Sequence, residues 1–320
     1  VLLYNLLKIW SRLILPVYCR KIIINRKEWL NAEGPLLIAC NHPNSFLDGI
    51  ILSTLFQQPV HSLARGDAFY NRFFAPILYS LGMLPVYRLR EGADKLEENY
   101  GTFDKCKEIF RNNGVVLIFS EGLCINEWHL RKLKKGTARL TLESWQEGIP
   151  LKVLPAGINY QSFRSLGKNI VLNFDDAILP GNPAMSDLSG ESIKNFNIIL
   201  DQKLRKLVTE ADSGNLEQLR ELFEVPMSAF KKIVLSIPAI IGALLHLPLY
   251  LSVRLITDSR ARGSDHRDAI LHALMILSYP VYLLLLALSV YWQTNYQYAL
   301  LSLLLIPFSA WCTIQLKSQF

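Results

Sequence analysis

The chain has 320 residues, 51% of them hydrophobic, and a formal net charge of +7. That length suits one large domain or two small ones, and the basic balance suits an acidic membrane surface, since no nucleic-acid motif accompanies it. Five cysteines at 19, 40, 106, 124 and 312 are odd in number and lack paired spacing, which fits reduced thiols in a cytosolic setting and no zinc site.

The opening stretch VLLYNLLKIWSRLILPVYCRKIIINRK carries Lys8, Arg12, Arg20, Lys21, Arg26 and Lys27, with no acid before Glu28. Residues 1–30 read as a basic amphipathic segment lying on anionic lipid, with Trp10 at the interface and the arginines near phosphates. Charges interrupt the apolar run and no small-residue cleavage site follows it, which argues against a secretory leader.

The stretch ACNHPNSFLDGI, residues 39–50, sets His42 and Asp48 six positions apart. On one helix their side chains would point about 240° apart. On one strand they would share a face but sit about 20 Å apart. A strand ending near His42, a turn through Pro43, Asn44 and Ser45, and a helix entered near Asp48 let imidazole and carboxylate meet. Ser45 reads as the cap of that helix. Cys40, inside an apolar run, reads as an inert core thiol.

Between 31 and 213 the pattern alternates. PLLIAC, VHSLAR, MLPVYR, GVVLIFS and LKVLPAGIN are short strand-like runs, separated by stretches of helical period such as Asp94 to Asn112 and 190–212. The alternation predicts an α/β fold with a mixed, largely parallel sheet flanked by helices, whose sites gather at strand ends. Polar residues follow each run: His42 and Asp48, Arg65 and Asp67, Arg88 and Arg90, Ser120 and Glu121, Asn159.

Residues 214–320 read as a membrane region. Residues 269–316 contain no Asp, Glu, Lys or Arg, which suits two membrane helices joined at QTNYQ. The uncharged run 233–253 is interrupted by Pro238 and Pro248 and flanked by cations on both sides, Lys231 and Lys232 before it and Arg254, Arg260, Arg262 and Arg267 after it. Keeping both clusters in the cytoplasm requires a re-entrant or interfacial segment there and an even number of crossings after it.

Taken together, NHPNSFLD, GMLPVYR, IFSEG and VLPAGINY, with LKKGTARLTLES between the last two, resemble the ordered blocks of the glycerolipid acyltransferase family over residues 30–175. The His-to-Asp spacing is one residue longer than usual in the family, and Ser120, Leu123 and Cys124 stand where Pro, Thr and Arg are common. The resemblance implies His42 and Asp48 as the catalytic pair and Arg88 as a phosphate-binding arginine. Glu121 and Gly122, with Lys134 and Lys135, read as acceptor-binding residues.

Chemically, His42 is the natural base for an acceptor hydroxyl, and Asp48 would fix its tautomer and stabilise the imidazolium. A thioester needs no serine or cysteine nucleophile, and backbone amides at the start of the Asp48 helix are candidates to support the oxyanion. The sequence therefore reads as a membrane-bound O-acyltransferase, its catalytic domain facing the cytoplasm at the inner membrane. Its partners would be membrane lipids and an acyl carrier protein or coenzyme A thioester, its acceptor a lysophosphatidic acid-like lipid, and it would use no metal, cofactor or nucleic acid. Glycerol 3-phosphate, a lyso-ornithine-type lipid, and a non-catalytic lipid-binding protein are the alternatives.

Overall fold

The computed structural model describes residues 2–87, 93–185, 187–212 and 215–319, with 93–98 described by backbone alone. Among the described residues, seven strands form one sheet: β1 (Cys19–Ile24), β2 (Leu36–Cys40), β3 (Val60–Arg65), β4 (Leu84–Val86), β5 (Val115–Phe119), β6 (Lys152–Tyr160) and β7 (Lys168–Phe174). Their order is β1-β7-β6-β2-β5-β3-β4, and every neighbouring pair is parallel except β6 with β7.

β2 lies at the centre, hydrogen-bonded to β5 and β6, with all five residues buried. A strand covered on both faces has no polar side, which is why it reads as an unbroken apolar run. Its side chains alternate between two cores. Leu36, Ile38 and Cys40 pack with α1 (Leu2–Tyr18), α2 (Phe46–Leu55) and the first half of α9 (Arg267–Gln293). Leu37 and Ala39 pack with α4 (Ala93–Arg111), α5 (Lys135–Gln146) and α6 (Gly190–Leu207). The short α3 (Ala75–Ser80) precedes β4, and α7 (Leu216–Phe223) packs on β7.

The five expected strands all form, as do the helices expected over 94–112 and 190–212, the latter ending at Leu207. Two strands are additional, and β1 moves the expected boundary at residue 30. It pairs with β7 from Cys19 to Ile24, so the amino-terminal segment is part of the sheet domain. The cations of α1 also differ from expectation. Lys8 donates to the carbonyls of Gln57 and Gln58, and Arg12 to those of Thr54 and Phe56, so Arg12 satisfies carbonyls at the end of α2 and Lys8 those of the loop that follows it. Trp10 donates to the Ile276 carbonyl of α9. The exposed residues of α1 include Leu2, Leu6, Ile9 and Leu13, an apolar face.

Three carboxy-terminal helices are long and apolar enough to cross a membrane: α8 (Ala229–Ala261), α9 and α10 (Tyr296–Leu316). α9 and α10 form the expected hairpin, turning at Thr294 and Asn295, whose side chain caps α10. The expected re-entrant stretch 233–253 lies within one helix that continues through Pro238 and Pro248. Both ends of α8 sit at the domain end of the hairpin. Lys231 meets Gln315 at the close of α10, and Asp258 pairs with Arg267 at the opening of α9. Its middle meets the hairpin further out, where Gly242 lies so close to the Ser309 carbonyl that a Cβ would clash with it, and His246 reaches Tyr279.

This arrangement keeps the α8–α9 junction on the side of the sheet domain and sends the α9–α10 turn away from it. Single cysteines at exposed Gly263 and at Asn295, in a chain stripped of its native five, should respond oppositely to an impermeant thiol reagent on intact cells. Asn295→Cys should label, and Gly263→Cys should label only after permeabilisation. Labelling of Gly263→Cys in intact cells would mean that α8 crosses.

Candidate active site

The site is built where β2 and β5 end. Beyond Cys40, Asn41 exchanges hydrogen bonds with the backbone of Ile158 in β6, its amide donating at 3.0 Å and its carbonyl accepting at 2.8 Å, which fixes the end of the strand. His42 follows, its ring stacked on Phe119 with centroids 3.8 Å apart. The chain turns through Pro43, Asn44 and Ser45 and enters α2, where Asp48 stands in the first turn. Ser45 has φ of 53°, the left-handed conformation that compresses the turn.

That turn brings the imidazole and carboxylate together, with His42 Nδ1 2.9 Å from Asp48 Oδ2. Asp48 has no exposed surface. Its Oδ2 also accepts from the Asn44 amide at 2.9 Å, and its Oδ1 from the Tyr160 hydroxyl at 2.6 Å. A buried charge needs such donors, since an unpaired one would cost several kcal/mol (~3 or more). Burial first, and then the Asp48 charge, hold the Tyr160 phenol well above its ordinary pKa, so it stays a donor. With Nδ1 on Asp48, Nε2 is the remaining nitrogen of the ring, and it has no partner among the described residues.

Glu121 is different from the expected acceptor-binding carboxylate. It is buried, and each oxygen takes a backbone amide, Oε2 from His42 and Oε1 from Arg131, both at 2.7 Å. It braces the backbone of His42. Burial raises its pKa, with the two amides opposing the rise. Gly122 supplies the turn after β5 at φ of +63°, and a Cβ there would meet the Lys134 side chain at 3.0 Å. Lys134 and Lys135 are exposed where α5 begins. Arg88 and Arg90 lie outside the described residues.

Other expectations are corrected. Ser45 makes no side-chain cap, and its hydroxyl lies 2.6 Å from His266 Nδ1. The Asn44 and Ser45 amides turn inward to Asp48 and to the Cys124 sulfur, so neither is presented to an oxyanion. Asn159 points to the opposite face of β6, bonded to Leu207 and Thr209, and its neighbour Tyr160 reaches the site. Arg65 and Asp67 bond to each other in an exposed position. Burial pushes the Cys40 thiol up and the Cys124 thiol up to about 12, with the Asp48 charge adding to both, so neither is a thiolate nucleophile.

A second buried network lies under the turn. Lys168 of β7 and Asp268 of α9 form a buried ion pair, and Asp268 also accepts from Tyr18 and, at 2.6 Å, from the Asn44 amide group. The Lys168 ammonium lies 5.4 Å and 5.8 Å from the ring centroids of Tyr18 and Tyr160. None of Tyr160, Lys168, His266 or Asp268 was expected from the sequence. The available signal was SDHRD, residues 264–268, three ionisable groups in addition to the arginine at the threshold of an uncharged run.

Comparison with known proteins fits this geometry. The Acyltransferase family model matches residues 21–159, a stretch that includes His42, Asp48 and Glu121. The match covers the sheet from β1 to β6 and under half of the chain. No curated protein matches it significantly. Among solved structures, this chain is similar to the crystal structure of the 1-acyl-sn-glycerophosphate acyltransferase of Thermotoga maritima, with a TM-score of 0.42 and 14% identity over 64% of this chain and 78% of that one. At that level the likeness lends no residue role to this chain.

The buried pair gives a stability test. Asp268→Asn leaves the Lys168 charge buried without a counter-charge and should cost about 3 to 5 kcal/mol, read by thermal unfolding in detergent. Adding Lys168→Met should restore most of the loss. A single variant as stable as wild type would show that the pair does not hold α9 to the sheet.

Proposed function

We propose that this acyltransferase is a membrane-bound O-acyltransferase that moves a fatty acyl group from acyl carrier protein or coenzyme A to a glycerol phosphate hydroxyl, with 1-acylglycerol 3-phosphate the favoured acceptor. The observation that carries the reading is the His42–Asp48 contact of 2.9 Å, which leaves Nε2 as the proton acceptor. The acceptor hydroxyl gives its proton to His42 Nε2 while its oxygen attacks the thioester carbonyl carbon. Asp48 stabilises the imidazolium that forms. As the tetrahedral intermediate collapses, the carbon–sulfur bond breaks and the imidazolium returns the proton to the leaving thiolate.

A lipid acceptor is favoured by the apolar surface around the domain. Phe230, Ile233 and Ile237 of α8, Leu284 and Leu288 of α9, and Leu300 and Leu304 of α10 are all exposed, a surface suited to acyl chains rather than water. For the acceptor phosphate, Arg88 is the assigned fork, with Lys134 and Lys135 adding charge where α5 begins and its amides favour anions.

Two experiments test this. His42→Ala should lower thioester-dependent acylation of 1-acylglycerol 3-phosphate by roughly 10² to 10⁴ while leaving membrane association intact, and Asp48→Asn should follow with a smaller loss. Near wild-type turnover by His42→Ala would remove the mechanism. Arg88→Ala should raise the acceptor KM by roughly tenfold or more with little change for the donor, the scale of a charge-assisted hydrogen bond, and Arg88→Lys should recover part of it. A parallel rise for donor and acceptor would overturn the phosphate assignment.

A further inference from the structure

Between the proposed acid–base pair lie the turn residues Pro43, Asn44 and Ser45, and each is held from the same direction. Pro43 offers its carbonyl to the Asn126 amide group at 2.7 Å, and Asn126 is itself tied to Asp265, its backbone amide donating to Oδ1 at 3.1 Å and its side chain to the backbone carbonyl at 3.2 Å. Asn44 donates to Asp268 Oδ2 at 2.6 Å. The Ser45 hydroxyl meets His266 Nδ1 at 2.6 Å. Asp265, His266 and Asp268 all belong to the junction between α8 and α9, more than 200 positions further along the chain.

We propose that His266 and Asp268 are positioning residues for acyl transfer, so that the junction opening the α9–α10 hairpin sets the geometry of His42 against Asp48. The route is short. Asn44 binds Asp268 through its side chain and Asp48 through its backbone amide, so one residue carries the position of α9 to the carboxylate that orients His42. Ser45, the next residue, holds a left-handed conformation, and its hydroxyl is spent on His266 rather than on capping α2. Residues held in sparsely populated conformations persist where their surroundings over-determine them. Asp268 is anchored in turn by Lys168 and Tyr18, so the grip on Asn44 is as rigid as the seat of α9 on the sheet.

The reaction chemistry is unchanged by this proposal, which rests on His42 and Asp48 being the acid–base pair. Asp268 and His266 touch the turn, and His42 does the proton transfer. A domain released from its carboxy-terminal helices would keep both catalytic side chains and lose the three restraints between them. Activity and the docking of the hairpin are therefore coupled.

Asn44→Ala and His266→Ala test the proposal without breaking the Lys168–Asp268 pair. In the full-length protein in detergent–lipid micelles, each should lower kcat by roughly tenfold, the scale of one hydrogen bond to a charged or strongly polarised group, with KM for donor and acceptor unchanged. Ser45→Ala, which removes the hydroxyl that meets His266 and adds no β-branch at this positive φ, should lower kcat by a similar factor. The ring nitrogen resonances of ¹⁵N-histidine-labelled protein provide the readout that a merely structural role would not move. His42, assigned by its loss in His42→Ala, should show Nδ1 protonated in wild type and a mixture of tautomers in Asn44→Ala. Wild-type kcat and an unchanged His42 signal in Asn44→Ala and His266→Ala would overturn the positioning role, as would losses that track thermal stability alone. His42→Ala in the same assay separates the two readings, because an active His42→Ala would defeat the acid–base pair itself.

Discussion

A carboxylate with no exposed surface imposes the main constraint on this molecule. Asp48 lies wholly inside the protein, and its charge has to be met by donors from several elements. His42 comes from the end of β2, the Asn44 amide from the turn, and the Tyr160 hydroxyl from the end of β6. β2 and β6 are adjacent in the sheet, so their ends arrive at one place, and α2 delivers the carboxylate between them. The sheet order therefore serves the charge. The parallel neighbours β5 and β6 flank β2, and the loop after β5 contributes Glu121, which fixes the backbone of His42 from the other side.

The apolar carboxy-terminal helices are continuous with this core. The first half of α9 is packed into the same hydrophobic cluster as α1, α2 and alternate residues of β2, while its second half presents an apolar surface outward. The Lys168–Asp268 pair marks the boundary. An ion pair in a dry interior brings little net stability compared with apolar packing, but it fixes one arrangement, since separating the charges is costly. That is the property needed where a hairpin must dock in a single register against the turn between His42 and Asp48.

The cations divide by environment. Lys8 and Arg12, on a helix whose outer face is apolar, turn toward the protein and satisfy carbonyls at the end of α2 and in the loop after it. Lys134 and Lys135 stand exposed at the opening of α5, beside the turn that Gly122 makes. The same residue types, equally basic in sequence, bond backbone carbonyls in one place and stand exposed in the other. Net charge alone does not tell these apart, because the distinction depends on which carbonyls lie within reach.

The sequence by itself determined much of this protein. Unbroken apolar runs gave the central strands, turn residues between His42 and Asp48 gave the strand–turn–helix that joins them, and an uncharged run gave the hairpin. Each of these is a local pattern, set by period, by backbone preference or by the cost of charge in lipid. Only the tertiary structure decided the rest. β1 was hidden in a basic segment because pairing with β7 depends on residues some 150 positions away. Asn159 and Tyr160 are neighbours in sequence, yet the pleat sends one to Leu207 and the other to Asp48. Glu121 carries the residue type of a ligand-binding group and is spent on two amides that come together only in the folded chain. Asp268 and His266 reach the turn between His42 and Asp48 across more than 200 residues, and no local rule connects positions that far apart, because their contact is made by the packing of α9 on the sheet.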